Sequence, residues 1–194
     1  MIAGTFDEGI REQHARLARR LGEGMPRAGW KVCVNDSRTQ RKLGIESSFV
    51  GFLEGSRRLA SGECWPAGEG SILGVEPEFA VRFGAAIAAP ADVNTIRRAI
   101  RGVAPAIEIV DWRDASLDLH AMASSSSFHA GFVVGELRSL ECVPAIADDC
   151  PRFVRGDERL GAPDSSLVPA DLSGLVANVA DFLARYGQRI EAGD

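Results

Sequence analysis

The chain has no run of 18 or more apolar residues, so no transmembrane helix is expected. Its opening stretch, MIAGTFDEGIREQHARL, meets charge within seven residues and has no apolar h-region. No secretory signal is therefore expected, and a cytoplasmic location is. Neither C-x-x-C nor H-x-x-x-H spacing occurs: Cys33, Cys64, Cys142 and Cys150 lie far apart, as do His14, His120 and His129. That argues against a zinc site or a disulfide framework and for reduced thiols. Positive charge is not in excess either, with 22 basic against 27 acidic residues and a net charge of −5. Nucleic acid and an anionic membrane surface are not expected partners. The short basic runs RLARR, GSRRL and RRAIR read as solvated faces.

The 194 residues suffice for one domain with a sizeable core, read here as residues 1–194 with 1–28 as an N-terminal helical segment. Ile10, His14, Leu17 and Leu21 recur at helical spacing within 7–22, and glycines close the segment. GWKVCVN (29–35) alternates like a strand. Asn35, Asp36 and Ser37 offer caps for a brief helix that ends at Gly44, and 48–53 reads as a strand. The stretch EGSRRLASGECWPAGEGS is a long loop, of the kind used for binding or as a lid. Strands follow at 72–83, at 103–112 and in FHAGFVVGE, with a helix introduced by Pro90 and Asp92. Residues 141–172 show no period; 173–187 form an amphipathic helix with Leu175, Val179, Phe182 and Leu183 on one side. Strands and helices mix without a strict βαβ rhythm, so the expected class is α+β.

One strand carries an electrostatic problem. ILGVEPEFAVRF sets Glu76 and Glu78 among apolar neighbours, and residues two apart on a strand share a face. Like charges there repel and resist desolvation unless something positive lies between them. In AIEIVDW a third carboxylate, Glu108, points away from Ile107 and Ile109. Two such strands side by side make a three-carboxylate cluster suited to Mg2+ or Mn2+. The alternative is the wet face of an edge strand, which Pro77 suits, with Glu108 paired to an arginine. On spacing alone that alternative is the commoner arrangement.

Several segments, in order from about residue 29 onward, resemble a known family. GWKVCVNDSRTQRKLGI is similar to the opening motif of the 2-keto-4-pentenoate hydratases and 2-oxo acid decarboxylases of the fumarylacetoacetate hydrolase superfamily. VEPEFAVRF resembles that group's E-x-E strand, APAIEIVDWR its PALEIVDSR strand, FVVGE its FVLG, and LVANVADFLARYGQRIEAGD its late helix. The resemblance implies a mixed β-sheet roll or distorted barrel with flanking helices. It assigns Glu76, Glu78 and Glu108 to a divalent cation, Lys31 of the GWK motif to the substrate, and Glu54 of GFLEG to the position of an acidic loop residue. The activity it implies is a metal-dependent lyase, a hydratase or a decarboxylase. Such an enzyme acts on a 2-keto acid or its dienol through a metal-stabilised enolate. A divergent isomerase, dehydratase or cyclase on the same scaffold is an alternative, as is a non-catalytic partner of an active paralogue. A homo-oligomer is expected.

The chain departs from the family pattern in several places. It stops at IEAGD, where family members continue into another strand and turn. The family's asparagine before FVLG is replaced by serine, Ser125 or Ser126, and the stretch before the last helix lacks the family's G…AAVLGHP motif. Cys33 stands where the family has glycine; it reads as a small buried residue, with a nucleophile as the less favoured reading.

Overall fold

A computed structural model of the chain describes residues 5–115, 118–140, 154–159 and 171–194. Helix α1 (Phe6–Gly22) begins with a capping box. Thr5 Oγ1 accepts from the Glu8 backbone N–H, and the Glu8 carboxylate accepts from the Thr5 backbone N–H. Helical spacing turns Ile10, His14 and Leu17 inward. Strands β1 (Arg27–Cys33) and β2 (Phe49–Glu54) pair antiparallel around α2 (Ser37–Leu43). The Asp36 carboxylate caps α2 by accepting from the Arg38 and Thr39 backbone N–H groups, and Gly44 ends it in the left-handed region.

The expected loop after β2 contains a 3-10 turn (Gly55–Arg57) and a two-residue strand, β3 (Arg58–Leu59). Then come β4 (Leu73–Phe83), α3 (Val93–Ala99), β5 (Ile100–Asp111), α4 (Leu119–Ser124) and β6 (His129–Val134). These strands form one sheet in the order β3-β6-β5-β4. β5 runs antiparallel to both neighbours, while β3 is parallel to β6. The class is therefore α+β with a mixed sheet, as expected. Among the described residues the strands do not close into a barrel, and β1–β2 stands apart as a ribbon. Of the aperiodic stretch, a small hairpin, β7 (Val154–Arg155) and β8 (Glu158–Arg159), is described. Cys142 and Cys150 lie outside the described residues; Cys33 and Cys64 are free thiols.

The core gathers Phe49, Ile87, Ile96, Leu183 and Ile190, all essentially inaccessible, from both ends of the chain. Helix α5 (Leu172–Ala184) presents Val176, Ala180, Phe182 and Leu183 to it, while Leu175 and Val179 are only half buried. The buried stripe is thus shifted by a residue from the expected one, because α5 packs against both α3 and β2. Helix α4 hides in a serine-rich stretch that resembles a linker. It docks closely on α1, where a Cβ on Gly9 would lie 2.6 Å from the His120 carbonyl oxygen. Gln13 of α1 donates to the Ala123 carbonyl across that contact, at 2.6 Å.

Candidate metal centre

The register of β4 against β5 decides the site. Glu76 pairs directly with Glu108, and Glu78 follows two residues along on the same face. One oxygen from each of the three carboxylates lies within 4.8 Å of the others. β4 is an edge strand, as the wet-face alternative requires, yet its glutamates are part-buried and Glu108 is only 4% exposed. Nor is Glu108 paired with an arginine: Lys31 Nζ lies 2.5 Å from its carboxylate and His129 Nδ1 lies 2.8 Å from Oε1. Among the described residues no hydrogen bond or ion pair reaches Glu76 or Glu78.

That imbalance shows in the acidities. Burial, then the nearby Glu108 and Glu76, push the Glu78 carboxyl up to about 7. Burial likewise raises Glu76, with Lys31 opposing and Glu108 reinforcing the shift. Burial pulls Lys31 down, but the Cys33 sulfur and the Glu108 and Glu76 carboxylates outweigh it and the net shift is upward. Burial pushes the Cys33 thiol up to about 12, so it is neutral near pH 7 and the carboxylates are the partners that hold Lys31 charged. Three carboxylates and one ammonium leave a formal charge of −2 in a pocket of hard oxygens. A divalent cation of the magnesium type fits that donor set in charge and chemistry.

Lys31 reaches the cluster because its neighbour across the ribbon, Gly51, has no side chain. A Cβ on Gly51 would lie 2.8 Å from Ser126 Cβ, 3.0 Å from Cys33 Sγ and 3.2 Å from Lys31 Cγ. Ser126, Ser127 and Phe128 follow α4 with φ of 55°, 57° and 62°, three successive left-handed residues without a glycine. Such backbone costs on the order of 1–3 kcal/mol per residue and is found where a site over-determines it. Here it delivers Ser126 against Lys31 and Gly51, and His129 onto Glu108. Ser126 is 1% exposed and its Oγ has no partner. Ser125, the other serine considered for the family's asparagine, is spent on its own turn: its Oγ donates to the Met122 carbonyl and accepts from the Phe128 N–H.

Glu54 stands at the end of β2, where Arg57 holds its carboxylate at 2.9 Å. It is not part of the carboxylate cluster. Arg57 also donates to the Ala130 carbonyl of β6 and lines a cleft of about 400 Å3 beside His129. The long loop supplies Trp65, Pro66, Gly68 and Ser71 to that cleft, which borders the carboxylate cluster through His129 and is lined by none of the three glutamates or Lys31. The Trp65 ring lies so close to Gly131 that a Cβ there would overlap it. Cys33 is buried, 2% exposed, and packs in the core as a small residue. Sequence pattern does not single out His129, because the spacing of the three histidines forms no metal motif. Its position within the family-like FHAGFVVG segment, at the head of the strand beside Glu108, was the available signal.

No protein-family model matches the chain. Among curated proteins it is similar to a 4-oxalocrotonate decarboxylase of a Pseudomonas species, with 24% identity over 193 residues, 98% of this chain and 75% of that protein. Among solved structures it is similar to the 4-oxalocrotonate decarboxylase of Pseudomonas putida G7 complexed with magnesium and adipate. That match has a TM-score of 0.78 and 21% identity, covering 97% of this chain and 73% of the other. The same enzyme complexed with calcium and acetate gives a TM-score of 0.77 at equal identity and coverage. The resemblance to the hydratase and decarboxylase group thus runs through nearly the whole chain, and the fold is the one those decarboxylases adopt.

Proposed function

We propose that this chain is a divalent-cation-dependent carboxy-lyase acting on a 2-oxo acid. The observation that carries the reading is the uncompensated charge of Glu76, Glu78 and Glu108 beside Lys31. The curated relative and the solved structures are decarboxylases, and the latter carry magnesium or calcium. Glu76, Glu78 and Glu108 would hold Mg2+ or Mn2+, and the cation would supply Lewis-acid stabilisation of negative charge on an enolised substrate. Lys31, kept protonated by its carboxylate neighbours, serves as a fixed positive charge for the substrate carboxylate and as a proton donor rather than a base. Gly51 and Ser126 fix its direction. Glu54 acts through Arg57, orienting the guanidinium that borders the cleft. The cleft beside His129 receives the part of the substrate that extends away from the cation, and the loop carrying Trp65 screens it from water. The protein works as one domain in the cytoplasm, as a homo-oligomer, with a small-molecule substrate and no nucleic-acid or membrane partner.

The test is to strip the protein with EDTA, restore Mg2+ or Mn2+, and offer an unsaturated 2-oxo dicarboxylate. Both carbon dioxide release and ultraviolet absorbance are followed. Cation-dependent carbon dioxide release is expected. Loss of absorbance with no carbon dioxide would assign the hydratase reading instead. No cation-dependent change with any 2-oxo acid would remove both and leave a non-catalytic partner.

A further inference from the structure

We infer that His129 is a positioning residue for the cation site, fixing which oxygen of Glu108 is turned to the cation; this rests on the reading of the three glutamates as ligands. Its side chain is 2% exposed, and Nδ1 lies 2.8 Å from Glu108 Oε1. An ionised carboxylate only accepts, so Nδ1 carries the hydrogen and donates it. Lys31 Nζ lies 2.5 Å from both Oε1 and Oε2, so the ammonium straddles the carboxylate and the histidine alone tells its two oxygens apart. The histidine engages Oε1 and leaves Oε2 to Lys31 alone, and that bias would make Oε2 the oxygen turned to a cation shared with Glu76 and Glu78.

The ring itself has little freedom. It follows three left-handed residues and pairs with Val110 across a register shift in β5. Its centroid lies 6.0 Å from that of Phe132. Nε2 is buried with no partner, so the hydrogen bond to Glu108 is the ring's whole polar anchorage among the described residues. A ligand carboxylate held by a histidine is the outer-shell arrangement that sets ligand direction and basicity in metal sites.

The experiment measures Mn2+ binding to the EDTA-stripped protein by electron paramagnetic resonance of the free ion. It compares the parent with His129→Asn, His129→Gln and His129→Phe. The Asn amide places an N–H where Nδ1 stands; Gln reaches the Nε2 position and misses Glu108; Phe keeps the ring and donates nothing. Phe and Gln are expected to weaken Mn2+ binding roughly 10- to 100-fold, as outer-shell changes typically do, while Asn stays within about threefold of the parent. Melting by circular dichroism shows which variants are folded; should Phe fail to fold, Asn against Gln carries the comparison. Asn as weak as Gln, or Gln as tight as the parent, overturns the inference. A parent that binds no Mn2+ overturns the cation site itself, a separate outcome.

Discussion

Strand β1 carries a cation at each end of a short span, and the two are used in opposite ways. Arg27 meets Asp194 through Nε at 2.6 Å and Nη2 at 2.7 Å, and Nη2 also reaches the Arg189 carbonyl. The Asp194 carboxylate accepts a further hydrogen bond from the Glu191 backbone N–H. One positive charge meets one negative, with its lone pairs occupied: this pair ties the C-terminal turn to the ribbon. Four residues on, Lys31 faces three carboxylates and contacts only one of them. The two carboxylates are equally buried, 3% and 6% exposed, while Arg27 is more open than Lys31, 28% against 11%. The difference is stoichiometry. A buried pair that balances is architecture, whereas the unbalanced one is where, on the reading proposed above, a cation would bind.

The largest effect on the balanced end should come from Arg27→Met, which leaves Asp194 buried and unpaired. We expect a loss of about 2–4 kcal/mol in denaturant unfolding, with Mn2+ affinity of the folded protein unchanged. A matching loss of Mn2+ affinity would show that the two ends are not independent.

The unbalanced end should reveal itself through pH. Glu78 titrates near 7 in the folded chain and near its ordinary 4.5 when unfolded, so between those values the native state holds the extra proton. Stability of the metal-free protein therefore falls as pH rises through that window and levels off above it. The contribution is about 3 kcal/mol. Thermal melts from pH 4.5 to 8 in EDTA should show this fall, and Glu78→Gln should lose most of it, the raised Glu76 carboxyl keeping the rest. Saturating Mn2+ should flatten the parent's curve. A parent and Glu78→Gln with parallel curves would mean that the carboxyl is not strained.

Gly51→Ala probes the crossing point of Lys31, Cys33 and Ser126. The added methyl forces at least one of them aside, at a cost of about 1–3 kcal/mol, and turnover should fall by more than the stability loss explains. Unchanged turnover would detach Ser126 from the function of Lys31. The smallest effect belongs to the exposed Asp7–Arg11 pair on α1, 2.9 Å apart. Arg11→Ala should cost no more than about 0.5 kcal/mol and leave cation binding alone, which calibrates what an ion pair without burial contributes here.

Much of this was legible in the chain, for identifiable reasons. Asp36 and Gly44 bracket α2 by local chemistry, and so they read directly. Glu76, Glu78 and Glu108 stood out because charge among β-branched and apolar residues needs an explanation, and period two put the first pair on one face. What local pattern does not carry is pairing: that Glu76 sits opposite Glu108, or that β6 brings His129 to the same carboxylate. The left-handed run at 126–128 was hidden for another reason, since serines and a phenylalanine are not the residues that signal φ above zero. Helix α4 escaped because its stability comes from docking on α1 rather than from its own composition.

The most direct test of the unbalanced end is calorimetric titration of Mn2+ into the EDTA-stripped protein at pH 6 and pH 8, beside Glu76→Gln, Glu78→Gln and Glu108→Gln. The account predicts one cation per chain, tighter binding at pH 8 because Glu78 must give up its proton, and at least about tenfold weaker binding in each variant. Binding that is absent in the parent, or equally tight in all three variants, would contradict it.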